Sequence, residues 1–171
     1  MHEANATVSK ALTEHHTACF GWALSCCGRN RADAEDVLSL AYEKVLSGHA
    51  RFLGESSFKT WLFGVIRRTA IDERRKRAWR NLLQLRFFEA PASKPTPERV
   101  SETNERAAAL TKALSQLSER QREVLHLVFY EGLTIREAAI TMDVSTGTAS
   151  LHYERGKARL AALLREQGIE E

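Results

Sequence analysis

All three prolines of this 171-residue chain, Pro91, Pro95 and Pro97, fall within seven residues of one another. The segment around them, Ala90 to Thr103 (APASKPTPERVSET), shows no apolar periodicity. Proline fixes φ and removes a backbone donor, so this stretch is not helix interior and reads as extended, semi-rigid chain. It divides the sequence into a lobe over 1–89 and a lobe over 104–171, joined by a linker over 90–103. No repeat relates the two lobes. Nine glycines and three prolines are too few for a loop-rich all-β sandwich, and no segment alternates with period two for long enough to be a strand. The expected fold class is all-α: two small helical lobes joined by a Pro-rich linker.

In the first lobe, Val8, Leu12, Cys19, Ala23 and Cys26 recur at helical spacing, which predicts one long amphipathic helix ending near Gly28. Asp33, with Asp36 three residues on, reads as the N-cap of a second helix running to about Gly48. Its apolar face is Val37, Leu38, Ala41, Val45 and Leu46. After a polar loop at Gly54–Ser57, a third helix carries Phe58, Trp61, Leu62, Val65, Ile66 and Ile71 inward. In the second lobe a helix closes with Leu110, Leu114 and Leu117. Ser118, with Gln121 three residues later, caps the next, whose apolar face is Val124, Leu125, Leu127 and Val128 and whose end is Gly132. Thr134, with Glu137 three residues later, caps a short helix over Ile135–Met142, and a turn at Asp143–Ser145 leads into a final helix from about Thr146.

Charge is unevenly placed. Residues 67–80 (RRTAIDERRKRAWR) hold seven Lys/Arg against two acids, whereas the whole chain carries only +3. The basic excess is therefore confined to one 14-residue stretch, as on a phosphate-binding surface. The longest uncharged run, His15–Gly28, has 14 residues, short of the ~20 needed to span a membrane. No signal-peptide pattern opens the chain, and three cysteines, two of them adjacent, make no disulfide framework. A cytoplasmic protein without membrane contact is expected.

Two nucleic-acid signals stand out. The last two helices have helix-turn-helix proportions. On the final one Ala149, Tyr153, Gly156 and Leu160 share one face and pack inward, which leaves Thr148, Ser150, Leu151, His152, Arg155, Lys157 and Arg159 on the other sides. Hydroxyl, imidazole and guanidinium groups reach base edges and phosphates, and Leu151 suits a thymine methyl. In the first lobe Phe52, Phe58, Trp61 and Phe63 adjoin the basic run, a mixture that stacks unpaired bases while holding their backbone. Among them Phe58, with the Ser56–Ser57 loop, is the better placed for base contact; Trp61 at helical spacing with Val65 also reads as core.

Taken together, these blocks resemble the bacterial sigma-70 family of transcription initiation factors, in particular its small extracytoplasmic-function (ECF) group. DAEDVLSLAYEKVL (33–46) and FKTWLFGVIRRTAIDERRKR (58–77) are similar to region 2, and LSQLSERQREVLHLVFYEGLTIREAAITMDVSTGTASLHYERGKARL (114–160) to region 4. The resemblance implies that Asp33, Glu35, Asp36, Leu40 and Glu43 dock on the β′ clamp helices of core RNA polymerase. It implies that Ser56, Ser57, Phe58, Lys59 and Trp61, with Arg67, Arg68, Arg74 and Arg75, melt and hold the −10 promoter element. The linker would thread toward the polymerase active site, and the final helix, entered at Thr146, would read the −35 element as duplex. The β flap and a cognate anti-sigma factor are further implied partners. The chain departs from the family's usual residues at Arg68, Ser118, Gly147 and the Leu151–His152 pair, where Asn, Pro, an acid and Ser–Arg are common. The last two leave the −35 reader with fewer long polar side chains.

Other chemistries fit less well. His15, Cys19 and Cys26 share a helical face, but His15 and Cys26 would lie roughly 16 Å apart on one helix, too far for one ion. His15 and Cys19 supply at most two ligands, and buried cysteine serves as a small hydrophobe, so no metal site is expected. No phosphate-binding loop, metalloprotease, nucleophile-elbow or dinucleotide motif occurs. Neither a cofactor nor catalysis is expected. The alternatives are a helix-turn-helix regulator with an N-terminal sensor or dimerisation domain, and a bundle that binds only protein.

Overall fold

The structure, a computed structural model, describes residues 2–85 and 105–168. The chain forms two compact units, Met1–Pro95 and Thr96–Glu171. The linker expected over 90–103 lies outside the described residues. Those residues contain helices and no strand, the all-α class expected.

Unit one holds α1 (His2–Glu14), α2 (His16–Cys26), α3 (Arg31–Leu46) and α4 (Phe58–Leu85). The single helix expected up to Gly28 is two, because His15 leaves helical geometry at φ −97°, ψ 2°. Backbone hydrogen bonds from His15 to Ala11 and from Cys19 to His15 carry across the break, so apolar spacing gives no sign of it. Cys19, Trp22 and Ala23 of α2 are buried against α3 and α4. Trp22, absent from the expected stripe, anchors this core: its indole Nε1 donates to the Phe63 carbonyl at 3.0 Å and its ring stacks on Phe63. A buried indole N–H needs such an acceptor.

The cap of α3 is also corrected. Asn30, not Asp33, is the N-cap, and its side chain accepts from the Asp33 N–H at 3.1 Å. Two short polar acids or amides three residues apart give the same signature, and the structure selects the earlier. Asp33 stands instead in the first turn, where its charge favours the helix dipole. Val37, Leu38, Ala41 and Val45 are buried as expected, whereas Leu46 is exposed. Ser57 opens α4: its Oγ accepts from the Thr60 N–H and donates to Thr60 Oγ1. The buried stretch of α4 runs from Thr60 to Ala70, apart from the half-buried Trp61 and exposed Arg68. Ile71, expected inward, is half-buried.

Unit two holds α5 (Glu105–Ser115), α6 (Glu119–Leu125), a π-helical turn (His126–Tyr130), α7 (Ile135–Met142) and α8 (Thr146–Glu166). Both expected capping boxes are present, Ser118 with Gln121 and Thr134 with Glu137. Ser145 caps α8 by accepting from the Thr148 N–H. Asp143 makes the turn between α7 and α8 in the left-handed region, φ 56°, a conformation in which Asp is several-fold enriched. Ala113, Leu117, Leu125 and Leu163 form one buried cluster of the bundle, with Leu114, Tyr153 and Leu160 packed on it. Leu110, expected to close α5 inward, is exposed. Gly156 sits where α6 and α8 approach: an added Cβ would lie 3.2 Å from Leu125 Cδ1 and 3.3 Å from Gln121 Cβ. The expected uniform helix up to Gly132 instead widens at His126, where the Glu131 N–H donates to the His126 carbonyl five residues back. One extra residue in the turn leaves Phe129 and Tyr130 exposed, and Val128 only half-buried.

Candidate polymerase and nucleic-acid interfaces

Asp33, Asp36, Leu40 and Glu43 follow one another on α3 by three or four residues and so share a face. It lies away from the buried stripe of Ala34, Val37, Leu38, Ala41 and Val45. Asp36, Glu35 and Glu43 are exposed, and Leu40 is half-buried among them. Glu35 is held by Arg31 at 2.8 Å within the helix. Asp33 is bound otherwise. Both its oxygens are taken by the guanidinium of Arg77 on α4, at 2.5 and 2.7 Å. This hydrogen bonding raises Arg77 above the usual guanidinium range, against the cost of partial burial. Nothing in the spacing of the sequence signals this pair, 44 residues apart.

At the start of α4 three rings meet. Phe52, Phe58 and Trp61 have centroids 5.3 to 5.5 Å apart. Phe52 is 41% exposed, while Phe58 and Trp61 are half-buried. His15, at the α1–α2 break, stacks against Phe58 at 6.2 Å. Ser56 is half-buried and Ser57 is exposed beside this cluster, the Ser57 hydroxyl engaged in capping. Lys59 places its ammonium 5.3 Å from the Phe63 ring. Phe63 itself does not belong to the cluster: it is fully buried against Trp22.

The basic run divides by helical face within the buried stretch of α4, and its cations are exposed beyond that stretch. Arg67, expected to meet DNA, is 5% exposed and removed from the surface. It stands one turn beyond Phe63, on the stripe that packs inward. Arg68, Arg74 and Arg75 are exposed. Lys76 is paired with Glu73 at 2.7 Å, a hydrogen bond that holds the Glu73 carboxyl below its ordinary range. Nearby, burial pushes the Cys27 thiol up to about 11, with the Asp33 carboxylate adding to the effect. Cys19 is buried and hydrogen-bonded to Tyr42, whose phenol is raised by burial and by that neighbour. Among the described residues no group of three or more His, Cys, Asp or Glu is arranged to hold a metal ion. None of the described helices is long and apolar enough to cross a membrane.

On α8 the inward stripe is as expected: Ala149 and Gly156 are buried, Tyr153 and Leu160 half-buried. Thr146, Thr148, Ser150, Leu151, Arg155 and Arg159 are exposed, and His152 is half-buried. Thr148, His152, Arg155 and Arg159 are separated by four, three and four residues, a single stripe down the helix. Thr148 Oγ1 lies 2.9 Å from the capping Ser145 Oγ. Lys157 is drawn sideways, paired with Glu154 at 3.1 Å and lying 4.5 Å from the Tyr153 ring centroid. A short helix, a tight turn and a longer helix with polar residues on its first turns is the geometry that enters a major groove.

Residues 11–80 match the family model for Sigma-70 region 2, and residues 107–160 that for Sigma-70, region 4. The ECF RNA polymerase sigma factor SigL of Mycobacterium tuberculosis is 30% identical over 171 residues, with 97% of this chain and 94% of SigL covered. SigX of Bacillus subtilis, also an ECF RNA polymerase sigma factor, is 29% identical over 75% of this chain and 69% of its own. Among solved structures, the sigma factor RpoE in complex with the anti-sigma factor NepR from Bartonella quintana superposes with a TM-score of 0.72 at 26% identity, covering 93% of this chain and 97% of that one. CnrH in complex with the cytosolic domain of CnrY has the same fold, with a TM-score of 0.63 at 23% identity over 92% and 87% of the two chains.

Proposed function

This chain belongs to the ECF sigma factors of the sigma-70 family, and we propose how its surfaces share the work of promoter recognition. Such a factor directs RNA polymerase to promoters and catalyses nothing itself; it binds polymerase and promoter DNA.

In our reading residues 1–89 form the region 2 domain, 90–103 a linker and 104–171 the region 4 domain. The acidic face of α3 (Asp33, Glu35, Asp36, Leu40 and Glu43) docks on the cationic side of the β′ clamp helices. Ser56, Ser57, Phe58, Lys59 and Trp61 receive unpaired −10 bases, while Arg68, Arg74 and Arg75 hold the phosphates between them. Rings stack bases of any identity, and cations along a helix follow a backbone, so this mixture suits a strand that has left its duplex. The outward stripe of α8 reads the −35 element, with Arg155 and His152 as base-edge contacts and Thr146, Thr148, Ser150, Leu151, Lys157 and Arg159 around them. The β flap is the expected seat for region 4 on the polymerase.

One observation carries the reading: a ring cluster at the start of α4 with exposed arginines further along the same helix in unit one, and a polar-faced helix-turn-helix in unit two. Unpaired bases and a duplex groove demand those two different surfaces. Region 2 also disfavours the alternative of a regulator that acts without polymerase. A cognate anti-sigma factor is a further proposed partner, supported by the likeness to RpoE in its complex with NepR. Because it would act on polymerase, the chain is proposed to be cytoplasmic.

Run-off transcription tests the proposal. Purified core polymerase should initiate at specific promoters of the source genome only when the chain is added. Absence of specific initiation at every such promoter would refute it.

A further inference from the structure

The two surfaces proposed for unit one meet at an ion pair. Asp33, on the acidic face of α3, has both carboxylate oxygens filled by the guanidinium fork of Arg77, which belongs to the basic run of α4. The carboxylate is 22% exposed and the guanidinium side chain 49%, so solvent and a partner can reach the pair from outside. A fork-to-carboxylate pair is the strongest geometry available to these groups, yet at this exposure its strength is modest and a competing ion can displace either half.

Seen from either side, the pair blocks something. A cationic surface approaching α3 meets Asp36 and Glu43 exposed but finds Asp33 already neutralised. A phosphate approaching α4 meets Arg75 exposed but finds Arg77 already neutralised. Opening the pair does not separate the helices. Lys44 of α3 donates to Thr69 of α4 at 3.0 Å and lies 3.9 Å from Asp72, and the apolar residues of both helices pack beneath. The pair therefore moves as two side chains on a fixed frame.

We propose that the Asp33–Arg77 pair is a charge clasp that couples polymerase docking to DNA capture. It is closed in the free chain and opened when a cationic docking surface takes Asp33 or a phosphate takes Arg77. Each partner then releases the residue the other needs. Because binding free energies are linked, polymerase must tighten DNA binding by the same factor that DNA tightens polymerase binding. Arg77 thereby becomes a stronger phosphate contact in the polymerase-bound state than in the free chain. This rests on the docking assignment of α3 given above.

The test is the affinity of the full-length chain for core polymerase, measured by competition anisotropy. Arg77→Gln frees Asp33, and Lys76→Gln removes the same charge one residue away without touching α3. Arg77→Gln should bind core about two- to fivefold more tightly than Lys76→Gln, the scale of a partly exposed ion pair. The gain should vanish in Asp33→Asn/Arg77→Gln, which should match Asp33→Asn/Lys76→Gln. Affinity of Arg77→Gln equal to or weaker than that of Lys76→Gln overturns the clasp. Failure of the docking assignment has its own signature: Asp36→Lys/Glu43→Lys would then bind core as the unaltered chain does. A second readout is the salt dependence of single-stranded −10 oligonucleotide binding by the free chain. Asp33→Asn should steepen its slope by about 0.7, one phosphate contact. An unchanged slope speaks against the clasp equally.

Discussion

The surface proposed for unit two lies on one continuous helix, whereas that proposed for unit one is assembled from segments far apart in the chain. The polar stripe of α8 lies within residues 146–159, and two local capping boxes with the Ser145 cap start α6, α7 and α8. The ring cluster of unit one needs His15, Phe52, Phe58 and Trp61, brought together by a packed core in which Trp22 is central. A reader of duplex DNA needs a rigid rod with side chains on one face, which local sequence can specify. A pocket for unpaired bases needs walls from several directions, which only tertiary packing supplies. The two should therefore respond differently to core damage.

The largest effect is expected from Trp22→Ala. It removes a fully buried indole and its hydrogen bond, a loss of about 3–5 kcal/mol for an aromatic truncated to alanine. Scanning calorimetry should show the transition of unit one lowered sharply or lost and that of unit two unmoved. Both transitions falling together would mean that the units are not independent. The counterpart is Gly156→Leu, which forces α6 and α8 apart and should lower only the second transition.

Charge reversal at Asp36 and Glu43 comes next. Placing lysines opposite a cationic docking surface should weaken core binding about tenfold or more, because like charges across an interface cost several kcal/mol. Circular dichroism should show unchanged helicity, and an unaltered core affinity would remove the docking face from unit one. On unit two, Arg155→Ala and His152→Ala should each lower initiation at −35-dependent promoters by about 1–3 kcal/mol of lost base contact. An unchanged promoter profile for both would mean that a different face of α8 enters the groove.

The smallest effect concerns Cys27, whose thiol titrates at about 11 rather than 9.0. The raised value means that the neutral thiol is favoured in the folded chain. This contribution to stability is complete below pH 9 and fades as the pH rises toward 11. At pH 8 iodoacetamide should alkylate Cys27 more slowly than a free thiol, and a faster rate would contradict its burial. All three cysteines lie in unit one, so the label reports on that unit alone.

The same contrast explains what the sequence disclosed. Ser118–Gln121 and Thr134–Glu137 were legible because a cap and its partner lie three residues apart and satisfy each other. The inward stripe of α8 was legible because its period is that of the helix. Asn30 was missed because Asp33 offered the same chemistry three residues later. Arg67 was misplaced because a charge run says nothing about which member turns inward, and here the stripe of Phe63 carries it into the core. The π turn at His126–Tyr130 and the Asp33–Arg77 pair left no periodic trace at all. The first is one residue out of step, and the second depends on how α3 and α4 cross.

In our proposal unit one takes DNA as a single strand while unit two takes it as duplex. This division is tested most directly by fluorescence anisotropy of labelled −10 oligonucleotides, with the full chain bound to core polymerase and salt varied. The non-template single strand should bind more tightly than the same sequence as duplex, with affinity falling steeply as salt rises. Neutralising Arg74 and Arg75 should flatten that salt slope by roughly one to two units, at about 0.7 per phosphate contact. Phe58→Ala should instead cost about 1–3 kcal/mol of stacking and leave the slope nearly unchanged. Equal or tighter binding of the duplex would contradict strand capture and leave the basic face of α4 as ordinary solvated surface.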